Sequence, residues 1–191
     1  MSMLVAGIAV FFGAHLVRAV TPEFRDRMIA RLGPWGWRGA YSLVSIVGLA
    51  LMAHGYAAAK PYSPWLWSLP VWTRHLAALV MLPALVLLFS AYLPGRIRRA
   101  VKHPMMIAVI LWSGAHLAAN GQAVDVLFFG SFLVWGIVVT KSAFSRVSAS
   151  PPPSLPATPL NDVLAVGAGA GAWAWLAFGG HMALFGMPIF G

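Results

Sequence analysis

The sequence predicts an all-α integral membrane protein, a bundle of six transmembrane helices with a short amphipathic interfacial helix after the first span. Three observations carry that prediction. Of 191 residues, 60% are hydrophobic and 9% charged, with a mean hydropathy of +0.81, far outside the mix of a water-soluble domain. Long apolar runs recur six times, separated by stretches rich in Pro, Gly or Arg. Basic residues gather on alternate connections, so the net charge of +9 fits the cytoplasmic face of a bilayer and not nucleic acid. The absence of Cys removes disulfides, thiolate metal ligands and cysteine nucleophiles together.

Ser2 to Val20 forms the first span, with His15 and Arg18 in its second half. No basic region precedes it and no small-residue cleavage site follows, so it reads as a retained span and not a signal peptide. Thr21-Pro22-Glu23 is the start signal of a new helix, with Phe24, Met28 and Leu32 on one side, Arg25, Arg27 and Arg31 elsewhere, and Gly33 as the stop. That composition places a cationic helix on the membrane surface. Arg38 to Ala59 is the second span, in which Arg38, Tyr41, Ser42 and Ser45 form a polar stripe that should face protein. Lys60 to Trp72 carries three prolines among Tyr62, Trp65, Trp67 and Trp72, a belt loop at the membrane interface.

The third span runs from about Trp72 to Leu93, with a kink expected at Pro83. A basic connection, Pro94 to Lys102, leads into the fourth. There Pro104 suits the first helical turn, where its missing N–H costs nothing, so His103 is the cap residue and the helix runs to about Asn120. Asn120 to Ala123 is a tight turn, and Val124 to Thr140 is the fifth span, with Asp125 at its mouth. Lys141 to Pro159, containing Pro151-Pro152-Pro153, reads as a flexible linker. The last span, about Val163 to Phe178, starts from Asn161-Asp162 as a cap and carries Gly167, Gly169 and Gly171, which admit a neighbour or a flat ligand close to the backbone.

Six spans make the charge distribution a test of orientation. Arg18, Arg25, Arg27, Arg31, Arg38, Arg96, Arg98, Arg99, Lys102, Lys141 and Arg146 fall on one side, and Lys60 and Arg74 on the other. This split predicts that both termini lie outside the cytoplasm.

The stretch that concentrates chemistry is the fourth span, where Ser113, His116 and Asn120 share one helical face in a segment otherwise made of Met, Ile, Val, Leu, Ala and Trp. An imidazole inside a span needs partners for its N–H and its lone pair where water is scarce, which makes it a candidate site. His54, His75 and His181 lie toward span ends and are assigned to the interface. His15 and His116 lie deeper, within Gly13-Ala14-His15 and Gly114-Ala115-His116, small-residue surroundings that would leave room for a large planar ligand. The residues leave two readings of each imidazole open: an axial ligand to haem iron, or a side chain bonded to a carbonyl. Zinc lacks support, since no His-Glu-x-x-His motif occurs and no carboxylate lies near a histidine in the spans. A serine hydrolase lacks Gly-x-Ser-x-Gly. The cluster Arg96, Arg98, Arg99 and Lys102 suits lipid headgroups, the positive-inside rule alone, or haem propionates.

Phe11-Phe12-Gly13-Ala14-His15, Arg38-Gly39-Ala40-Tyr41-Ser42, His103-Pro104 and His116 stand in an order and spacing that resembles the NnrU family of bacterial membrane proteins, whose plant relatives include the zeta-carotene isomerases. The resemblance covers about residues 1 to 145. It implies b-type haem with axial ligands at His15 and His116, His103 being the runner-up or a capping residue. In the isomerases it also implies a redox-dependent cis-to-trans change of a polyene double bond. Those isomerases carry a cysteine three residues before the second histidine, proposed as an alternative ligand. Here Ser113 stands there, which counts against a ligand switch. The bacterial family name comes from an association with denitrification and nitric oxide metabolism.

The expected organisation is therefore an NnrU-like membrane domain over 1–145, a Pro/Ser-rich linker over 146–160, and the sixth span and C-terminus over 161–191. The expected setting is the bacterial inner membrane, with lipid and a small hydrophobic or gaseous ligand as partners and no nucleic acid. His15 and His116 are the expected metal ligands, and His103, Arg18, Arg38 and Ser113 the further cofactor-binding candidates. The function is redox-linked, isomerase-like chemistry on a hydrophobic substrate, or nitric oxide handling. The alternative is a non-catalytic accessory protein for assembly of a respiratory complex, without haem.

Overall fold

The computed structural model describes residues 1–145 and 157–190; most of the stretch read as a linker, residues 146–156, lies outside the described residues, as do the side chains of Arg18, Ala19 and Ser145. The described residues are helical throughout their regular structure, and no strand occurs among them. The helices are α1 (Ser2–Val20), α2 (Pro22–Ala59), α3 (Trp72–Ser90), α4 (Arg96–Val101), α5 (Pro104–Ala119), α6 (Ala123–Ser145), α7 (Pro159–Trp175) and α8 (His181–Phe185). Four segments are long and apolar enough to cross a membrane: Pro22–Tyr62, Trp72–Ser90, Ala123–Phe144 and Pro159–Phe185. Two of the six expected spans are shorter apolar helices, Ser2–Val17 and Pro104–Ala119. Large apolar side chains such as Leu43, Ile46, Leu79, Val134 and Val163 point outward, the inverse of a soluble protein's surface.

The chain forms two compact units. The first comprises Met1–Trp67 and Gln122–Ser131. In it α1 lies along α2 at close range, because glycines remove the side chains that would hold the helices apart: a Cβ on Gly7 would meet the Met52 backbone nitrogen at 2.5 Å, and one on Gly48 the Phe11 nitrogen at 2.8 Å. Gly55 meets Leu4 more closely still, and Leu4 and Met52 are fully buried there. Thr21 and Pro22 do start α2, as expected, but the Thr21 hydroxyl donates back to the Val17 carbonyl and caps nothing. Gly33, with φ 72° and ψ 166°, breaks the helix where the sequence placed the stop, and Phe24 packs edge-on to Trp37 across that break. Arg27 and Arg31 are exposed and Arg25 is half-buried, which suits a surface-lying cationic segment.

After a 3₁₀ turn at Lys60–Tyr62, the belt loop exposes Tyr62, Trp65 and Trp67. It is nonetheless anchored: the Ser63 hydroxyl accepts from the Val124 N–H, the Gln122 side chain donates to the Ser63 carbonyl, and Ala123 N–H donates to Pro64 O.

The second unit comprises Ser68–Gly121 and Phe132–Gly191. Here α3 packs against α5 and α7. It continues through Pro83, and the Trp173 indole donates to the Ala78 carbonyl at 2.7 Å a turn earlier. Gly169 brings α7 against the Val86 backbone, which realises the close approach expected of that glycine. The start of α7 departs from expectation. Thr158, not Asn161-Asp162, is its cap, accepting from the Asn161 N–H. The Asp162 carboxylate instead accepts from the Arg96 and Ile97 N–H groups at 2.9 and 3.0 Å, and so caps α4. The Asn161 amide donates to the Pro94 carbonyl alongside. The last span also does not close at Gly179-Gly180-His181. A π turn with Gly179 at φ 153° carries the chain into α8.

Candidate functional site

Both deep histidines use the same local bond. His15 Nδ1 donates to the Phe11 carbonyl at 2.7 Å, and His116 Nδ1 donates to the Trp112 carbonyl at 2.8 Å, each four residues back in its own helix. A carbonyl oxygen can only accept, so in the neutral ring Nδ1 carries the proton and Nε2 the lone pair. That is the tautomer of a metal-ligating imidazole whose second nitrogen is oriented by a backbone carbonyl. The two readings left open by the sequence are therefore compatible: the carbonyl bond occupies one nitrogen and defines the other as a base.

Around His15, the Phe11 ring stacks at 4.0 Å between centroids with 24° between planes, and Tyr41 of α2 lies at 5.1 Å. His15 is half-buried. Of the expected polar stripe on α2, Tyr41 lies against this histidine. The Ser45 hydroxyl donates to the Tyr41 carbonyl, Ser42 is exposed, and the exposed Arg38 guanidinium sits 4.9 Å over the Trp35 ring. The side chain of Arg18 is among those not described.

His116 belongs to the second unit, and its neighbours there are Trp112, with ring centroids 5.3 Å apart, and beyond it Phe132, 5.2 Å from Trp112. The stripe Ser113, His116, Asn120 closes on its own helix. The fully buried Ser113 hydroxyl donates to the Val109 carbonyl at 2.7 Å, and the Asn120 amide donates to the His116 carbonyl at 2.8 Å. Ser113 spends its proton on the helix, and its oxygen is held against the backbone.

His103 caps α5 by position without a side-chain cap bond, and Phe144 meets its ring edge-on at 4.8 Å. Its N–H donates to the Val101 carbonyl at 2.7 Å across Lys102, which has φ 62° and ψ −48°. This is a γ-turn of the rare, strained hand. His103 and His116 stand at opposite ends of α5, about 20 Å apart along its axis. Of the interface histidines, His54 and His75 are exposed, and His181 Nδ1 donates to the Met187 carbonyl. No group of three potential metal-binding side chains occurs among the described residues.

The glycines beside the two ligand candidates border open space. Apart from the flanking residues and the backbone of its own helix, no atom of the described residues lies within 4 Å of a Cβ at Gly13 or Gly114. Yet a residue two positions before the histidine is about 200° around the helix from it, so this open side faces away from the imidazole.

The sequence reading missed a heavily bonded polar group of the first unit. Asp125 is fully buried, and its carboxylate accepts from the Tyr56 hydroxyl at 2.7 Å, Lys60 Nζ at 2.5 Å and the Gln122 N–H at 3.0 Å. The one available signal was an acidic residue opening an apolar helix.

The model of the NnrU family, described as NnrU protein, matches residues 3–189. The chain belongs to the NnrU family. The match extends past residue 145, so the last span is part of the NnrU pattern and not an appendage to it. Comparison of this NnrU chain with curated proteins and with solved structures gives no match.

Proposed function

We propose that this NnrU protein is a multi-pass protein of the bacterial inner membrane, with six crossings and both termini outside the cytoplasm. We further propose that it binds b-type haem through the Nε2 atoms of His15 and His116. The observation that carries the haem reading is the matched pair of imidazoles, each with Nδ1 committed to the carbonyl four residues earlier. Two such nitrogens in apolar helices are a suitable donor set for haem iron. When bound, haem supplies one-electron chemistry and a coordination position for a small ligand.

The protein's own contributions follow from the residues. The carbonyl bonds hold each ring in one tautomer and raise the basicity of Nε2. The apolar helices keep bulk water away and select a hydrophobic or gaseous partner. The function that suits these properties is redox-linked chemistry on a lipid-soluble substrate, of the isomerase kind, or handling of nitric oxide. Exposed arginines, Arg38 among them, suit an anionic group such as a propionate or a lipid phosphate.

An absorption spectrum of protein purified from haem-replete cells tests the reading. A low-spin haem spectrum is expected, lost in both His15→Ala and His116→Ala and kept in His54→Ala. A colourless, well-folded preparation would turn the assignment toward an accessory role in membrane assembly. Adding a cis-carotenoid and, separately, nitric oxide to the reduced protein distinguishes the two chemistries.

A further inference from the structure

The segments Phe11-Phe12-Gly13-Ala14-His15-Leu16 and Trp112-Ser113-Gly114-Ala115-His116-Leu117 share one pattern: an aromatic residue, any residue, then Gly-Ala-His-Leu. Two helices that are otherwise unlike in sequence carry it once each. The local geometry repeats with it. In both, the histidine donates Nδ1 to the carbonyl of the aromatic residue, at 2.7 and 2.8 Å, and the same residue's ring lies beside the imidazole, stacked at 4.0 Å and 24° for Phe11 and tilted at 5.3 Å and 51° for Trp112. The aromatic residue therefore fixes the imidazole twice over, its main chain setting the tautomer and its side chain limiting rotation of the ring plane.

This double hold is a consequence of helix geometry. Residues four apart stack on one face, so the carbonyl and the ring at position i−4 both reach the side chain at i. An aliphatic residue at i−4 would keep the carbonyl bond and lose the flat wall. Neither histidine needs an aromatic neighbour for the carbonyl bond alone, and His181 makes such a bond to Met187 six residues on, with Phe185 as its ring neighbour at 4.9 Å and none of the Gly-Ala-His-Leu pattern. The recurrence of the whole six-residue unit at the two deep imidazoles marks a common task.

We infer that aromatic-x-Gly-Ala-His-Leu is a half-site used twice, and that Phe11 and Trp112 are positioning residues which set the planes of the two ligand imidazoles. The inference rests on the haem reading and deepens it. Neither residue is a ligand, and loss of either ring leaves both Nε2 atoms in place. What changes is the orientation of the ligand rings, which the low-spin electron paramagnetic resonance signal and the reduction potential of the iron both report.

The test uses full-length protein purified with its haem. In Phe11→Leu and Trp112→Leu, haem content is expected to stay within about twofold of wild type, while the low-spin signal broadens or moves and the potential shifts. The exchange variants Phe11→Trp and Trp112→Phe, which keep an aromatic wall, are expected to retain the wild-type signal and to control for misfolding. A haem-loaded protein ligated by His15 and His116, with signal and potential unchanged in both leucine variants, overturns the positioning role and leaves the haem reading standing. Wild-type protein without haem overturns both.

Discussion

Asp125 has no solvent exposure, and Lys60, Tyr56 and the Gln122 N–H surround its oxygens. Removing one partner of a buried ion pair typically costs about 3–5 kcal/mol, since the other charge is left without compensation. Lys60 keeps 24% of its side chain exposed, so its stranded ammonium can reach solvent and the cost of Asp125→Ala falls toward the lower end. That variant is expected to melt well below wild type in detergent, and combining Lys60→Met with Asp125→Asn should recover part of the loss. Equal melting temperatures for wild type and Asp125→Ala would remove the network from the account of stability. None of this was legible in the sequence, because Tyr56 and Lys60 lie 69 and 65 residues from Asp125 and only the fold brings them together. The imidazoles are the opposite case. Their bonding partners are four residues away, so the carbonyl reading was within reach of helical periodicity, although its compatibility with metal ligation was not drawn from spacing alone.

At the level of elements, glycine placement separates contact from empty space. Gly7, Gly48 and Gly55 of the first unit stand where α1 and α2 touch backbone to backbone, whereas Gly13 faces open space. Gly7→Ala must push α1 away from the Met52 backbone, an overpacking that costs about 1–3 kcal/mol. Gly13→Ala adds a methyl to an open helix surface and should be neutral or slightly stabilising. Thermal unfolding of the two variants side by side checks this, and a Gly7→Ala protein as stable as Gly13→Ala would contradict the close packing. Helix starts and stops were the readable part of the fold, since Thr21-Pro22, Gly33 and His103-Pro104 act through local backbone geometry. The ends fixed by tertiary pairing were misread. The sequence places Asn161-Asp162 as the cap of their own helix, whereas the Asp162 carboxylate serves Arg96 and Ile97.

For the molecule as a whole, charge placement discriminates between topologies in which the two shorter apolar helices do and do not cross the membrane. At about 1.5 Å per residue, α1 is about 28 Å long and α5 about 24 Å, against a hydrocarbon core of about 30 Å. If both cross, eleven Lys and Arg fall on one side and two on the other; if only the four longer segments cross, Lys141 and Arg146 change sides and the split weakens to nine against four. Local bilayer thinning accommodates a helix a few ångströms short at a small cost per ångström, so the stronger charge asymmetry favours six crossings. Because the chain has no native cysteine, single substitutions read the topology directly. Ser2→Cys and Tyr62→Cys should react with a membrane-impermeant maleimide in intact cells, and Arg99→Cys and Lys141→Cys only after permeabilisation. Ser2 reports on α1 and Lys141 on α5: labelling of Lys141→Cys from outside would place it with Tyr62 and remove the crossing by α5, and failure of Ser2→Cys to label from outside would remove that by α1.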